Sequence, residues 1–186
     1  MKFTRDKIIN FVVLIAAGII LFTPLGFPVK VFVNKLISFA PSEVDKGEQL
    51  KLTDYNWKLN SLDHHTLNFE RYKDRVIIVN FWATWCPPCV AEMPEFQELY
   101  QDYKDKVVFL FVTNDDQQKV AAFMAKKQYT LPVYYPKSTT PDLLQSTAIP
   151  ATFIINKNGE IVVDKTGSAN WNSEKIRKLL DRLILQ

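Results

Sequence analysis

The chain has 186 residues, a length that fits one domain with a short additional segment better than two full domains. Apolar residues make up 47% and charged residues 23%, so the chain can bury a core and disorder throughout is excluded. The 23 Lys and Arg residues exceed the 20 Asp and Glu residues only slightly and are scattered, so a nucleic-acid partner is not expected.

Residues 1–29 have the pattern of a membrane anchor. Three basic residues and one acidic residue lie in residues 1–7, and no charged residue occurs in the 22 residues from 8 to 29. An uncharged stretch of this length can cross about 30 Å of hydrocarbon. A cleaved signal peptide has the same basic start and apolar middle, but no small-x-small site closes the apolar run, so we favour an uncleaved anchor. We therefore predict one N-terminal transmembrane helix, with the lipid bilayer as a partner.

The residues after this span indicate its orientation and lead into the soluble part. The basic residues before the span are opposed by Lys30 and Lys35 just after it, and the remaining bias places the soluble part on the periplasmic or extracytoplasmic side. Apolar residues recur at helical spacing over residues 29–40, which predicts a short amphipathic helix. Two interpretations stay open: the membrane helix continues, or this segment lies in the headgroup region. With the polar linker that follows, residues 30–49 precede the folded domain.

Residues 50–186 predict an α/β domain. Residues 76–81 and 107–112 are continuous apolar runs, the pattern of strands that are covered on both faces. A helix-length segment ending near Tyr103 lies between them, so we predict a parallel strand-helix-strand unit. A helix start is predicted at Thr140, because a proline follows at what would be the first helical position. The other predicted elements are short strands at residues 57–59 and 66–69, a helix within 115–128, a strand at 131–135, a hairpin of 152–156 and 160–164, and a closing helix with an apolar stripe of Ile176, Leu179, Leu180 and Leu183.

The chain has two cysteines, Cys86 and Cys89, and their spacing limits what they can do. A disulfide between them would close a very short loop and contribute roughly 2 kcal/mol as a structural link. A structural zinc site would need two further ligands, and the only histidines are the neighbours His64 and His65. We therefore interpret the pair as a redox dithiol, and expect neither a metal site nor another cofactor.

The dithiol follows a predicted buried strand at the point where a helix begins. The carboxyl end of a parallel strand is where an open α/β sheet leaves a crevice. A helix N-terminus stabilises a thiolate, so Cys86 lies where a reactive sulfur is expected.

The cysteines belong to a longer phrase that resembles a known family. Residues 81–89 read Phe-Trp-Ala-Thr-Trp-Cys-Pro-Pro-Cys and continue to Pro94, and Ile149 and Pro150 precede a predicted strand. Together these residues resemble the thioredoxin superfamily, and the phrase is similar to its membrane-anchored branch, the TlpA/ResA-like thiol-disulfide oxidoreductases. The resemblance covers about residues 50–186. It implies a thioredoxin-like fold, in which helices flank a central mixed sheet with added N-terminal strands, and it implies protein disulfide clients and a membrane-embedded electron donor.

The resemblance also implies roles for individual residues. Cys86, the more exposed cysteine, would attack a client disulfide, and Cys89 would resolve the mixed disulfide. Pro150 would be a cis proline that faces the dithiol, and the backbone of Ile149 would pair with the bound client.

Trp85 and Pro87 are the other residues that we expect to contact the client. Glu92 follows Cys89 by three residues and shares its helix face. The resemblance implies that this carboxyl handles protons near the cysteines, and the alternative is a solvated helix residue. Asn80 stands where ordinary thioredoxins carry a buried Asp, so proton exchange by that Asp would be absent or pass to Glu92.

Two prolines between the cysteines bear on the direction of electron transfer. Pro87 and Pro88 have no backbone N–H to donate to a Cys86 thiolate. Weaker stabilisation of the thiolate leaves the reduced form less favoured, so we predict that the pair acts as a reductant.

The leading functional prediction is a membrane-tethered reductase of extracytoplasmic disulfides. The resemblance suggests cysteines of cytochrome c apoproteins, or of a copper-binding oxidase assembly factor, as clients. A disulfide oxidase or isomerase is the first alternative, and a metal carrier with Cys86 and Cys89 as soft ligands is the second, against which a cis Pro150 would count. A cysteine peroxidase is not favoured, because no Pro-x-x-x-Thr-x-x-Cys pattern precedes Cys86. The client, the electron donor and the oligomeric state are left open.

Overall fold

The computed structural model describes residues 5–186, apart from the side chains of residues 20–22 and 24, so the first four residues of the predicted anchor lie outside the described part. The N-terminal region forms two helices, α1 (Arg5–Phe22) and α2 (Phe27–Ile37), which are joined by a 3-10 turn at Pro24–Gly26. Because a proline cannot donate the backbone hydrogen bond that would continue α1, the uncharged stretch is divided between two helices. No helix within residues 5–186 is both long and apolar enough to cross a membrane.

Helix α2 lies against the outside of the domain, beside α3 (Pro87–Tyr103). The predicted amphipathic segment is confirmed as a separate helix, and the interpretation in which the first helix continues through it is wrong. None of the α2 residues is buried, so its apolar stripe is exposed. The chain then returns to the domain, where the backbone N–H of Val44 donates to the carbonyl oxygen of Val162 at 2.9 Å. The predicted linker therefore lies along an edge strand.

Seven strands of the described region form one mixed sheet in the order β2-β1-β5-β4-β3-β6-β7. Strands β3, β4 and β5 are parallel neighbours, and the other pairs are antiparallel. The predicted mixed sheet with added N-terminal strands is confirmed. The bounds are β1 (Lys58–Ser61), β2 (Thr66–Asn68), β3 (Ile77–Phe81), β4 (Val108–Val112), β5 (Val133–Pro136), β6 (Ala151–Ile155) and β7 (Ile161–Thr166), with α4 (Gln117–Lys127) and α5 (Glu174–Leu185) as the remaining helices.

The sheet is covered on both faces, which explains the continuous apolar runs of its central strands. In β3, Ile78 faces the core cluster that contains residues of α3, α4 and α5. Its neighbours Ile77 and Val79 face a second cluster, which contains Trp57 and Phe69 from the N-terminal strands and their connections. Alternate side chains of one strand therefore enter different cores.

One local prediction differs from the structure. The predicted helix start at Thr140 is wrong, because only a single 3-10 turn forms at Asp142–Leu144 and the chain is extended again at Gln145. Leu144 is the one buried residue of that turn, and one apolar contact per turn gives a longer helix no face to bury. The predicted hairpin is confirmed as the antiparallel pair β6-β7, and Gly159 in its turn has a positive φ of 82°.

Candidate active site

The register of two strands brings the cysteine pair and the predicted cis proline together. Phe81, the last residue of β3, pairs with Ala151, the first residue of β6. The chain leaves β3 toward Cys86, which caps the N-terminus of α3, and it enters β6 from Pro150. Segments that are 63 positions apart in sequence therefore meet at one end of the sheet.

Cys86 and Cys89 form a disulfide bond, with the sulfur atoms 2.09 Å apart. Cys86 is the more exposed of the two, as expected, but both are buried in this oxidised state, at 3% and 0% exposure. The Sγ atom of Cys86 lies 3.8 Å from the carbonyl oxygen of Ile149. The Ile149–Pro150 peptide bond is cis, which confirms that prediction.

The first turn of α3 presents one backbone donor to the outer sulfur. The N–H of Cys89 donates to Cys86 Sγ at 3.3 Å. The two residues between them, Pro87 and Pro88, have no N–H, and the N–H of Val90 already donates to the Cys86 carbonyl oxygen at 3.0 Å. A thiolate at Cys86 would receive one backbone hydrogen bond from this turn.

Glu92 is buried, with 2% of its surface exposed, so the alternative of a solvated helix residue is wrong. Its Oε1 accepts a hydrogen bond from Asn80 Nδ2 at 2.8 Å. Its Oε2 accepts from the indole Nε1 of Trp171 at 2.8 Å and from the backbone N–H of Ala169 at 3.3 Å. Three N–H groups, one from β3 and two from the segment after β7, therefore hold one carboxyl.

Burial dominates the proton affinity of this carboxyl. Removal from water disfavours the ionised form and raises the pKa of Glu92 to about 8, while the hydrogen bonds from Trp171, Asn80 and Ala169 oppose the rise. A carboxyl with this pKa can bind and release a proton near neutral pH.

Asn80 links the carboxyl to the neighbouring strand. It is fully buried in β3, and its Nδ2 also donates to Thr152 Oγ1 at 2.8 Å, opposite it on β6. The Asn80 Oδ1 atom is buried and has no partner within the described residues. The side-chain amide of Asn80, which can flip by 180°, therefore lies beside the Glu92 carboxyl, which can change its protonation state.

A cavity of about 300 Å³ opens beside the disulfide, although neither cysteine is among its lining residues. Trp85 and Ile149 line it, and Trp85 is 64% exposed. The other two residues expected to contact a client, Pro87 and Pro150, are not among the lining residues. Trp82 also lines the cavity, although it is buried, and it packs against Phe123, with ring centroids 5.7 Å apart.

Sequence reasoning missed two groups at this site. Trp171 is 79 positions from Glu92, and no spacing in the sequence connects them. Asp115 follows β4 and accepts hydrogen bonds from the backbone N–H and the Oγ1 of Thr84, at 2.9 and 2.5 Å. The position of Asp115 could have been inferred from the sequence, because it follows β4, and parallel strands such as β3 and β4 have their carboxyl ends at the same edge of the sheet.

Comparison with known proteins identifies the family. The family model of AhpC/TSA matches residues 49–163, which is more than half of the chain. The chain belongs to the AhpC/TSA family. The matched region of this AhpC/TSA family member runs from before β1 into β7 and contains both cysteines, Glu92 and Pro150.

The relatives confirm the resemblance to thiol-disulfide oxidoreductases. The protein named thiol-disulfide oxidoreductase ResA from Oceanobacillus iheyensis is 36% identical over 103 residues, covering 54% of each chain. The protein of the same name from Bacillus cereus is 34% identical over 110 residues, covering 58% of this chain and 64% of the relative. The chain thus matches about half to two thirds of the length of these relatives.

A solved structure supports the thioredoxin-like fold. The exposed lipoprotein thioredoxin of Streptococcus pneumoniae is 26% identical, with a TM-score of 0.53. The similarity covers 68% of this chain and 98% of that one.

Proposed function

We propose that this protein is a thiol-disulfide oxidoreductase that reduces disulfide bonds in client proteins. The observation that carries the proposal is the Cys86–Cys89 pair at the N-terminus of α3, with Cys86 Sγ next to the Ile149 carbonyl and an open cavity beside it. A client bound in extended form along Ile149 would bring its own disulfide to Cys86.

The reaction proceeds in two exchanges. In the reduced protein the Cys86 thiolate attacks one client sulfur, the client S–S bond breaks, and a mixed disulfide forms. Cys89, as a thiolate, then attacks Cys86 Sγ and releases the second client thiol. The client gains two electrons and two protons, and the protein returns to the disulfide form. We assign Glu92 the role of taking up the Cys89 proton, since its pKa of about 8 lies close to that of a thiol.

The start of α3 supports reduction as the direction of the reaction. One backbone N–H, that of Cys89, is available to the Cys86 sulfur, because two prolines precede it. Poor stabilisation of the thiolate makes the dithiol a better electron donor. We therefore propose reduction as the physiological direction.

We further propose that the N-terminal segment attaches the protein to a lipid bilayer, with the domain on the extracytoplasmic side. The apolar side chains of α1 at Phe11 and Leu14 are 64% and 70% exposed, and insertion among acyl chains would remove them from water. Arg5 and Lys7, at the start of α1, suit an interface with anionic headgroups. A membrane-embedded electron donor could then re-reduce the disulfide, and cytochrome c apoproteins or an oxidase assembly factor are the client classes we propose.

The activity is tested by insulin reduction with dithiothreitol as the electron source. We expect turnover by the full chain, none by Cys86→Ser, and an accumulating mixed disulfide with Cys89→Ala, because that variant can attack but cannot resolve. Glu95→Gln, a change of a partly exposed carboxyl on the same helix that pairs with Lys35, is the matched control and should retain activity. If Cys86→Ser reduced insulin as fast as the unchanged protein, the proposal would fail. Efficient refolding of scrambled ribonuclease without net reduction would instead indicate an isomerase.

Attachment and orientation need a separate experiment. We expect the full chain to float with vesicles, and a version with Phe11→Asp and Leu14→Asp to float less. In intact cells, a thiol reagent that does not cross membranes should label Cys86 after mild reduction. Labelling that requires lysis would overturn the proposed orientation.

A further inference from the structure

The cavity beside the disulfide has a distinct charge. Among the residues that the structure describes, its lining contains two acidic ones, Asp115 and Asp116, and no basic one. The chain as a whole carries a formal net charge of +3, so this concentration of negative charge next to Cys86 is local.

Both carboxylates are held by neutral donors. Asp115 Oδ2 accepts from Thr84 at its backbone N–H and its hydroxyl, and Asp115 Oδ1 accepts from the backbone N–H of Asp116 at 2.8 Å. Asp116 caps α4 by accepting from the backbone N–H of Lys119 at 2.9 Å. The ion pairs within residues 5–186 include neither aspartate. The two charges are thus fixed in place without a direct ion pair among the described residues, and Lys119 acts on Asp115 only at longer range.

The hydrogen bonds also keep Asp115 ionised. Partial burial acts to raise its pKa, but the hydrogen bonds from Thr84 and Asp116, together with the charge of Lys119, outweigh burial and hold the pKa below its usual value.

The exposed indole of Trp85 is the third feature of the cavity. It lines the same space and precedes Cys86 directly in the chain. The face of an indole attracts cations, and does so more strongly than the other aromatic side chains. Because Trp85 directly precedes Cys86 and consecutive residues advance about 3.3 Å in extended chain, the side chains beside a client cysteine bonded to Cys86 can reach this indole.

We propose that this cavity selects clients that carry a lysine or arginine beside the cysteine attacked by Cys86. The cation would lie over the Trp85 indole and within reach of the two aspartates. This inference rests on the proposed reductase function and adds a preference among its clients. Asp115, Asp116 and Trp85 are then specificity-determining residues.

Three peptides of otherwise identical sequence, each with an internal Cys-x-x-Cys disulfide, provide the test. They differ only at the two positions that flank the disulfide, which are Lys, Gln or Glu. The full-length protein is reduced with dithiothreitol, freed of it and mixed with each peptide. In the reaction the peptide S–S bond breaks and the Cys86–Cys89 bond forms, so the two electrons come from the protein dithiol and the peptide thiols gain two protons.

We expect the Lys peptide to react about tenfold faster than the Glu peptide at low salt, and the ratio to approach one in about 0.5 M salt, where surface charges are screened. Asp116→Asn keeps the helix cap, because Asn caps as well as Asp, and should lower the ratio to about threefold. Adding Asp115→Asn should bring it near one. Asp105→Asn removes the same charge beyond the other end of α3, roughly 25 Å away, and should leave the ratio unchanged.

Each outcome separates the two proposals. Equal rates for the three peptides, or a ratio that Asp116→Asn does not alter, would overturn the charge preference and leave the reductase function standing. Failure of the reduced protein to react with any of the peptides would count against the function itself. The rate with the Gln peptide corrects each variant for a general loss of reactivity.

Discussion

Replacing Glu92 with Gln should change how the stability of the oxidised protein depends on pH. Gln has the same shape as Glu but cannot ionise. The site can accommodate this Gln if the side-chain amide of Asn80 flips by 180°. The Asn80 Oδ1, which has no partner among the described residues of the unchanged protein, can then accept from the new side-chain amide at position 92 and from the Thr152 hydroxyl. The difference in the free energy of unfolding between this variant and the unchanged protein therefore reports the binding of one proton by Glu92.

The size of the effect follows from the pKa of Glu92, which is 4.5 in the ordinary reference and about 8 when buried. Between these values the folded protein holds a proton that the unfolded chain has lost, so the free energy of unfolding falls as the pH rises. The stabilising contribution is complete below about pH 4.5 and is lost by about pH 8. The gap of about 3.5 units, at roughly 1.4 kcal/mol per unit, predicts a total loss of about 5 kcal/mol.

Urea unfolding of the disulfide form in a non-ionic detergent, followed by tryptophan fluorescence from pH 4.5 to 9, measures this difference. We expect the free energy of unfolding of the unchanged protein, relative to Glu92→Gln, to fall by roughly 1.4 kcal/mol per unit up to about pH 8 and then to level off. Glu95→Gln, one turn along the same helix, gives the baseline for a partly exposed carboxyl that pairs with Lys35. A difference between the unchanged protein and the Glu92→Gln variant that stays constant with pH would refute the argument that burial raises this pKa.

Three further substitutions test neighbouring features. Pro88→Ala restores an N–H in the first turn of α3. It should lower the pKa of the Cys86 thiol by about one unit, measured by alkylation against pH, and raise the reduction potential by roughly 30 mV, measured by equilibration with glutathione. An unchanged thiol pKa would contradict the argument that the Cys86 sulfur has one backbone donor in this turn. Trp171→Phe removes a 2.8 Å hydrogen bond to Glu92 but keeps the ring against Phe96. It should raise the pKa of Glu92 further and lower the free energy of unfolding in urea at pH 9 by about 1–3 kcal/mol. An unchanged free energy of unfolding would mean that the bond is not made in solution. Gln128→Gly should raise the free energy of unfolding by about 0.5–1 kcal/mol, because Gln128 ends α4 at a φ of 55° that glycine adopts freely. Thermal unfolding measures this change. A lower melting temperature would argue against this backbone conformation.

The central strands could be predicted from the sequence because their physics is local. The runs at residues 76–81 and 107–112 are apolar at nearly every position, and the structure places alternate side chains of β3 in two different cores. The closing helix was equally readable, since the stripe of Ile176, Leu179, Leu180 and Leu183 is the buried face of α5. The start signal at Thr140 failed because a cap and a proline favour a first turn, whereas a longer helix needs an apolar face that the following residues lack.

The chemistry of the cysteines was determined by covalent and near-neighbour features, and the sequence alone therefore contains it. Two sulfurs three positions apart, two prolines without N–H groups and a helix start after a buried strand are all local to residues 76–89. The environment around that chemistry was decided by the tertiary structure. The proton affinity of Glu92 depends on its exclusion from water and on donors from β3 and from the segment after β7, and the charge of the cavity depends on the loop after β4. The proton affinity of Glu92 and the charge of the cavity depend on the distant segments that the fold brings into contact, because desolvation and hydrogen bonding act through space and not along the chain.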